Sequence, residues 1–382
     1  MKSIYLDYAA ATPVDPQVLE AMQPFFSENF ANPSSLYGAA RVTRQALTAA
    51  RGSVANSLGA KPTEIIFTAG ATESINLAIQ GVMRRFPDGH IVTTAIEHEA
   101  VLETTKRLDN SVVSVPASGV VIPNDIIEYI TEETVLVSVM MANNEVGTIQ
   151  PLKEIVAAVV EIRHQRQKSG NQMPLYVHTD AAQAGTTLDL HVSRLGVDLL
   201  TLNGGKMYGP KQSGILYVRT GTQIEPLIYG GGQERGVRSG TENVAFAVGF
   251  AKALELAQLN RKDEAHRLEL LRDQLQQAIT QAIPDIAING DQRHRLTHNL
   301  NITLPGLDGE AAVLYLDNAG VQASTGSACS ISSDEPSHVL LAMGRSAAEA
   351  SASLRFTLGA ATTKQDITSA SKVIVKTLRH LT

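Results

Sequence analysis

The sequence of 382 residues has a single cysteine, Cys329, so no internal disulfide can form and nothing implies an oxidising compartment. Paired-cysteine spacing and His-Glu-x-x-His are both absent, which leaves a metal centre without a ligand pattern. No stretch is long and apolar enough to span a bilayer. Positive charge is not in excess. The net charge of −6 argues against nucleic acid or an anionic membrane as a main partner. Asp7 comes too early for a secretory signal, so a cytoplasmic location is expected. No G-x-G-x-x-G occupies a suitable βα turn, and Lys206 is followed by Met207 rather than Ser or Thr, which rules out a Walker lysine. Repeats, low-complexity tracts and disordered tails are also missing.

What is present describes a globular enzyme-sized chain. Hydrophobic content of 43% and charged content of 18% are ordinary, and the length exceeds what one core usually supports, so two domains are expected. Hydrophobic periodicity predicts strands at 64–68, 91–96, 135–141, 175–179, 197–202 and 214–218, and helices at 37–58, 72–85, 100–108 and 152–167. This alternation implies a mostly parallel α/β sheet covered on both faces, with ligands bound at the carboxyl ends of its strands. Beyond Gly240 a nearly glycine-free helical stretch, 242–283, is expected to break near 260–263. It leads into a smaller unit with strands at 299–304 and 353–358 and helices at 309–318 and 363–381.

Two apolar runs end in chemically significant residues. Tyr176-Val177-His178-Thr179-Asp180-Ala181-Ala182-Gln183 delivers an aspartate, and Leu202-Asn203-Gly204-Gly205-Lys206-Met207 delivers a lysine in a glycine-rich turn. Carbanion chemistry on pyridoxal phosphate uses such a pair: a lysine for the Schiff base and a carboxylate to keep the pyridine nitrogen protonated. Alone, an Asp at a strand end and a Lys near glycines are common in α/β proteins. Thr68-Ala69-Gly70-Ala71-Thr72-Glu73-Ser74 lies between a strand and a helix, where a phosphate or simply a capped helix start would fit. The lone cysteine lies in Ser324-Thr325-Gly326-Ser327-Ala328-Cys329-Ser330, whose small polar residues disfavour an inert buried thiol.

With these residues in order, the chain resembles the cysteine desulfurases of the aminotransferase class V group along nearly its whole length. The resemblance is carried by Tyr5-Leu6-Asp7-Tyr8, Asn32-Pro33-Ser34-Ser35, Gly70-Ala71-Thr72-Glu73-Ser74, Glu97-His98, Asn143-Asn144-Glu145-Val146-Gly147 and Asp180-Ala181-Ala182-Gln183. It continues through Lys206, Arg238-Ser239-Gly240-Thr241, Ser327-Ala328-Cys329, Glu335-Pro336-Ser337-His338 and Leu354-Arg355-Phe356. It implies a fold-type I enzyme: a large domain at 12–255 built on a seven-stranded, mostly parallel sheet, and a small α+β domain formed by 1–11 and 256–382.

The resemblance also implies roles. Lys206 would carry pyridoxal 5'-phosphate and shuttle the Cα proton. Asp180 would pair with the pyridinium, Gln183 would donate to the phenolic oxygen, and His98 would stack on the ring. Ala71, Thr72 and Asn203 would bind phosphate, joined by Thr241 from the second subunit of a homodimer. Asn144 would contact cofactor or substrate, and Arg355 would clamp the carboxylate of L-cysteine. Cys329 would take the substrate sulfur as a persulfide and release L-alanine. The loop after it is similar to the subgroup that hands sulfur to acceptor proteins or scaffolds for iron–sulfur assembly and thiolation. One departure stands out: the family's Ser-Gly-His before the lysine is Asn203-Gly204-Gly205 here, so one imidazole contact to the cofactor is missing. Two other readings remain. One is a different class V lyase or transaminase, such as a selenocysteine lyase; the other is a cofactor-bearing but non-enzymatic member of a sulfur-assembly complex.

Overall fold

The computed structural model describes residues 3–326 and 335–381; Cys329 lies outside the described residues. One short strand, β1 (Ile4–Tyr5), opens the chain but belongs to a sheet formed much later in sequence. The large sheet contains β2 (Ile65–Thr68), β3 (His90–Thr94), β4 (Asn110–Val113), β5 (Thr134–Ser138), β6 (Tyr176–Asp180), β7 (Leu199–Asn203) and β8 (Gly214–Val218). Their order is β2-β8-β7-β6-β5-β3-β4, and only β8 runs antiparallel to its neighbours. This is the seven-stranded, mostly parallel sheet that the resemblance implies. β3 and β5 are buried at every position, as strands covered by helices on both faces must be.

Helices pack against both faces with apolar residues at three- and four-residue intervals. Helix Gly38–Leu58 buries Ala40, Thr43, Leu47, Ala50, Val54 and Leu58, and it stops at Gly59, whose φ of 63° gives the left-handed cap. Hydrophobic periodicity gives no strand at β4, because this edge strand is four residues long and buries only Val113.

The second unit has a three-stranded antiparallel sheet of β9 (Ala287–Ile288), β10 (Asn299–Thr303) and β12 (Ser353–Thr357), in the order β12-β10-β9. The parallel pair of β1 with β11 (Val321–Gln322) lies beside it. Its core gathers Leu6, Leu268, Leu275, Ile302, Leu354, Phe356, Ile374 and Leu378, separate from the large core around Val137, Val177, Leu200 and Phe250.

Helix Val244–Ala282 joins the two cores and runs unbroken for 39 residues, about 58 Å at 1.5 Å per residue. The break expected near 260–263 does not occur. Asn260, Arg261, Lys262 and Asp263 are polar because the helix is crossing between cores, and none of them is a helix breaker. Their neighbours tether this crossing: Gln258 donates to the carbonyls of Gly185 and Leu188, and Arg261 lies 3.1 Å from Asp189.

Candidate active site

The carboxyl ends of β2, β3, β5, β6 and β7 point toward one cleft, as the open α/β plan requires. Ala71, Thr72, His98, Asn144, Asp180, Gln183, Asn203, Lys206 and Arg355 all line it, together with Ala9, Ala10 and Gly326, around a volume of about 280 Å³. A larger cavity of about 360 Å³ lies behind the lysine turn, against Met207, Tyr208, Ala253 and Leu256. The larger cavity is also charged, through Asp15, Asp263, Glu264 and Arg267, but the smaller cleft brings Asp180, Lys206 and Arg355 together at the strand ends, and chemistry selects it over size.

Asp180 closes β6 and is buried in the cleft wall. Burial pushes its carboxyl up from the usual range, while the Ala182 N–H and the nearby Lys206 pull the other way. Its Oδ1 accepts from the Ala182 N–H at 2.9 Å. Lys206 follows β7 in a short 3-10 turn, begun by Asn203, whose side-chain oxygen accepts from the Gly205 N–H at 3.0 Å. Two residues further on, Tyr208 has a φ of 62°, rare for a residue with a bulky side chain. It is held there by its N–H on Thr12 Oγ1 (2.9 Å) and by its hydroxyl, which accepts from the Ala360 N–H at 2.7 Å. The Lys206 ammonium donates to the carbonyls of Ala9 (2.7 Å) and Ala10 (2.6 Å), and Gln183 also donates to Ala9 (3.1 Å).

His98 caps helix Glu99–Thr105, and its Nδ1 accepts from the Ala100 N–H at 3.0 Å. The neutral ring therefore carries its proton on Nε2. Beside it, Glu97 is completely buried. Its Oε1 accepts from Thr94 Oγ1 and from the Met140 N–H, both at 2.8 Å, while Oε2 has no hydrogen-bond partner. Burial pushes this carboxyl up to about 8, and the Asp180 charge adds to the shift. Apart from its place in the Glu97-His98 motif, nothing in the sequence singled Glu97 out.

The helix Ala71–Arg85 starts at the cleft after Gly70, whose φ of 138° only glycine adopts readily. Gly70 also meets Gly214 of β8 so closely that a Cβ on Gly214 would lie 2.7 Å from its Cα. Two glycines thus seat the helix start against the sheet, leaving its first-turn N–H groups for an anion. Glu73 in that turn would repel an anion, but it pairs with Arg238 at 2.8 Å and accepts from the Ala69 N–H.

These residues fit pyridoxal phosphate: a lysine, a buried carboxylate, and a helix start opened by glycine for the phosphate. Two expected residues are not among the cleft lining described. Thr241 lines a neighbouring pocket with Phe67, Thr68, Glu234 and Arg238, and Cys329 is outside the described residues. Lys211, near Gly205, donates to the Thr12 carbonyl.

Comparison with known proteins agrees with this architecture. Residues 4–369 match the family described as aminotransferase class-V. The chain is 44% identical to the cysteine desulfurase IscS of Dictyoglomus turgidum over 387 residues, covering 100% of this chain and 95% of that protein. A solved NifS-like protein superposes with a TM-score of 0.90 at 35% identity, over 99% of this chain and 100% of the other. A second structure, SspA in complex with cysteine, gives a TM-score of 0.79 at 36% identity, over 93% of this chain and 99% of that one. The fold, the composition of the cleft and these likenesses along the whole chain agree: the chain belongs to the aminotransferase class-V family, among its cysteine desulfurases.

Proposed function

We propose that the cleft between Asp180, Lys206 and Arg355 is where this pyridoxal-phosphate-dependent cysteine desulfurase takes sulfur from L-cysteine and releases L-alanine. The observation that carries this placement is the arrival of Asp180 and Lys206 from adjacent parallel strands at one cleft, with Arg355 on its other wall. When bound, the cofactor supplies an electron sink that acidifies the substrate Cα. Asp180 sits where its negative charge would balance a pyridinium, and burial ensures that it gains from doing so. Lys206 would hold the cofactor and then move the Cα proton at Nζ. The carbonyls of Ala9 and Ala10 keep that nitrogen at the cleft wall. The neutral His98 ring, oriented by its helix, presents a flat face suited to stacking. Arg355 offers a planar fork for the substrate carboxylate.

Cys329 would act as the nucleophile through its thiolate. The thiolate bonds to the substrate sulfur as the C–S bond breaks. The carbon side gains a proton and leaves as L-alanine, and the enzyme keeps a persulfide. No second cysteine exists to accept that sulfur within the chain, so an external thiol or a sulfur-acceptor protein must take it.

A homodimer fits the surface. Phe30 and Leu36 are 77% and 97% exposed, Phe26 and Tyr37 are also exposed, and Phe26 packs edge-on against Phe246, which lines the pocket holding Thr241. For the division at 12–255 against 1–11 with 256–382, the separate core of Leu6, Leu268, Leu354 and Phe356 is the support, while Val339, Leu340, Met343 and Ala350 pack in the large core. Among the described residues no helix is long and apolar enough to cross a membrane. The deciding experiment incubates the cofactor-loaded protein with L-cysteine and a reductant. Alanine and sulfide in equal amounts are expected; alanine without sulfide would overturn the reading.

A further inference from the structure

The arginine assigned to the substrate carboxylate is already engaged. Arg355 lies on β12, 3% exposed, and its Nη2 donates to Asp7 Oδ1 at 2.7 Å. Its Nη1 donates to the carbonyls of Asn144 at 3.1 Å and Gly326 at 3.4 Å. Nε is buried with no hydrogen-bond partner, so the two outer nitrogens alone orient the guanidinium. Of its three acceptors only Asp7 is charged. A charge-assisted contact is roughly twice as strong as a neutral one.

Asp7 is itself firmly placed. Its carbonyl accepts from the Tyr5 hydroxyl (2.8 Å) and from the Ala10 N–H (3.0 Å), and the residue bridges Thr357, two positions beyond Arg355. The turn that follows provides the carbonyls of Ala9 and Ala10 that hold Lys206. One turn therefore holds two cleft residues: its backbone carbonyls hold Lys206 and its Asp7 side chain holds Arg355.

We propose that Asp7 is a positioning residue that fixes Arg355 for the substrate carboxylate. This rests on Arg355 being the carboxylate clamp. Substituting Asp7 removes a side chain and leaves the backbone carbonyls on Lys206 in place, so the effect falls on carboxylate recognition alone. Asp7 also keeps the empty clamp close to neutral, which favours a ligand that matches the geometry over one that merely carries negative charge.

The test uses the cofactor-loaded protein and two competitive ligands, L-alanine, which has the carboxylate, and cysteamine, which lacks it. Asp7→Ala is expected to weaken L-alanine and raise KM for L-cysteine by roughly tenfold, the order associated with losing one ordered charge-assisted hydrogen bond. Cysteamine affinity should change by less than about twofold and kcat by less than about threefold, since the Lys206 contacts are to backbone. Asp7→Asn keeps an acceptor for Nη2 and should retain most of the L-alanine affinity. Unchanged L-alanine binding in Asp7→Ala, or equal loss of both ligands, overturns the proposal. Arg355→Gln is the control: if it leaves L-alanine binding intact, Arg355 is not the clamp and the premise falls, whatever Asp7 does.

Discussion

Replacing Glu97 with glutamine tests the electrostatics of the cleft floor. The carboxyl has no exposure and its pKa is pushed up to about 8 by burial, against an ordinary value of 4.5. A carboxyl raised in this way contributes stability that is complete below about pH 4.5, falls as the pH rises and is gone above about pH 8. Between about pH 6 and pH 8 the folded protein holds nearly one more proton at this site than the unfolded chain, which corresponds to a loss of about 2 kcal/mol. Glutamine accepts the same hydrogen bonds from Thr94 and Met140 without a titrating proton. Urea unfolding of the cofactor-free proteins at the two pH values measures the difference. Other titrating groups, His90 and His298 among them, are common to both proteins and cancel. The parent should lose about 2 kcal/mol more than Glu97→Gln. Parallel pH dependence would mean that Glu97 is already ionised and that Asp180 shares its buried surroundings with a second charge.

Lys206→Ala should lose all turnover and the borohydride-stable cofactor adduct, read by mass spectrometry; an adduct on Lys211 would refute the assignment. Mixing it with Thr241→Ala protein should restore some activity if subunits exchange, because one hybrid site would be intact. Gly205→His should slow cofactor dissociation several-fold, about the effect of one added hydrogen bond. A Cβ there meets only ordinary contacts, 3.5 Å from Asn203 Oδ1 and 3.6 Å from Lys211, and unchanged dissociation would mean that backbone donors suffice. Cys329→Ser should bind cofactor and L-cysteine normally yet release little sulfide; sulfide at the parent rate would make the thiol a bystander.

The readable features of the chain were those with local causes. Strand ends at Asp180 and Asn203 follow apolar runs, and the helix start at Ala71 follows a glycine, so their place on the cleft could be inferred from spacing. Features that arise from long-range contact could not. The partner of Arg355 is Asp7, 348 positions away, and no pattern on either strand shows that they meet. Glu97 looked like any acid after a strand until its burial was visible. β4 is illegible for a different reason: as a short edge strand it buries too little to leave a period. The polar run at 260–263 does not break the helix, because polarity signals a loop only when no tertiary contact needs the helix to continue.

The pairing of β1 with β11 has a consequence for biogenesis. Val321 and Gln322 leave the ribosome roughly 300 residues after their partners Ile4 and Tyr5, some 15–60 s later at ordinary rates of synthesis. Through that interval the strands bearing Asp180 and Lys206 can form and pack, while the turn that supplies the Ala9 and Ala10 carbonyls has no sheet to anchor it. Assembly of the cleft is thus gated by translation of Val321 and Gln322. A product arrested before Val321 would contain the lysine, the aspartate and the phosphate turn, and would lack the brace that sets the lysine against the opposite wall.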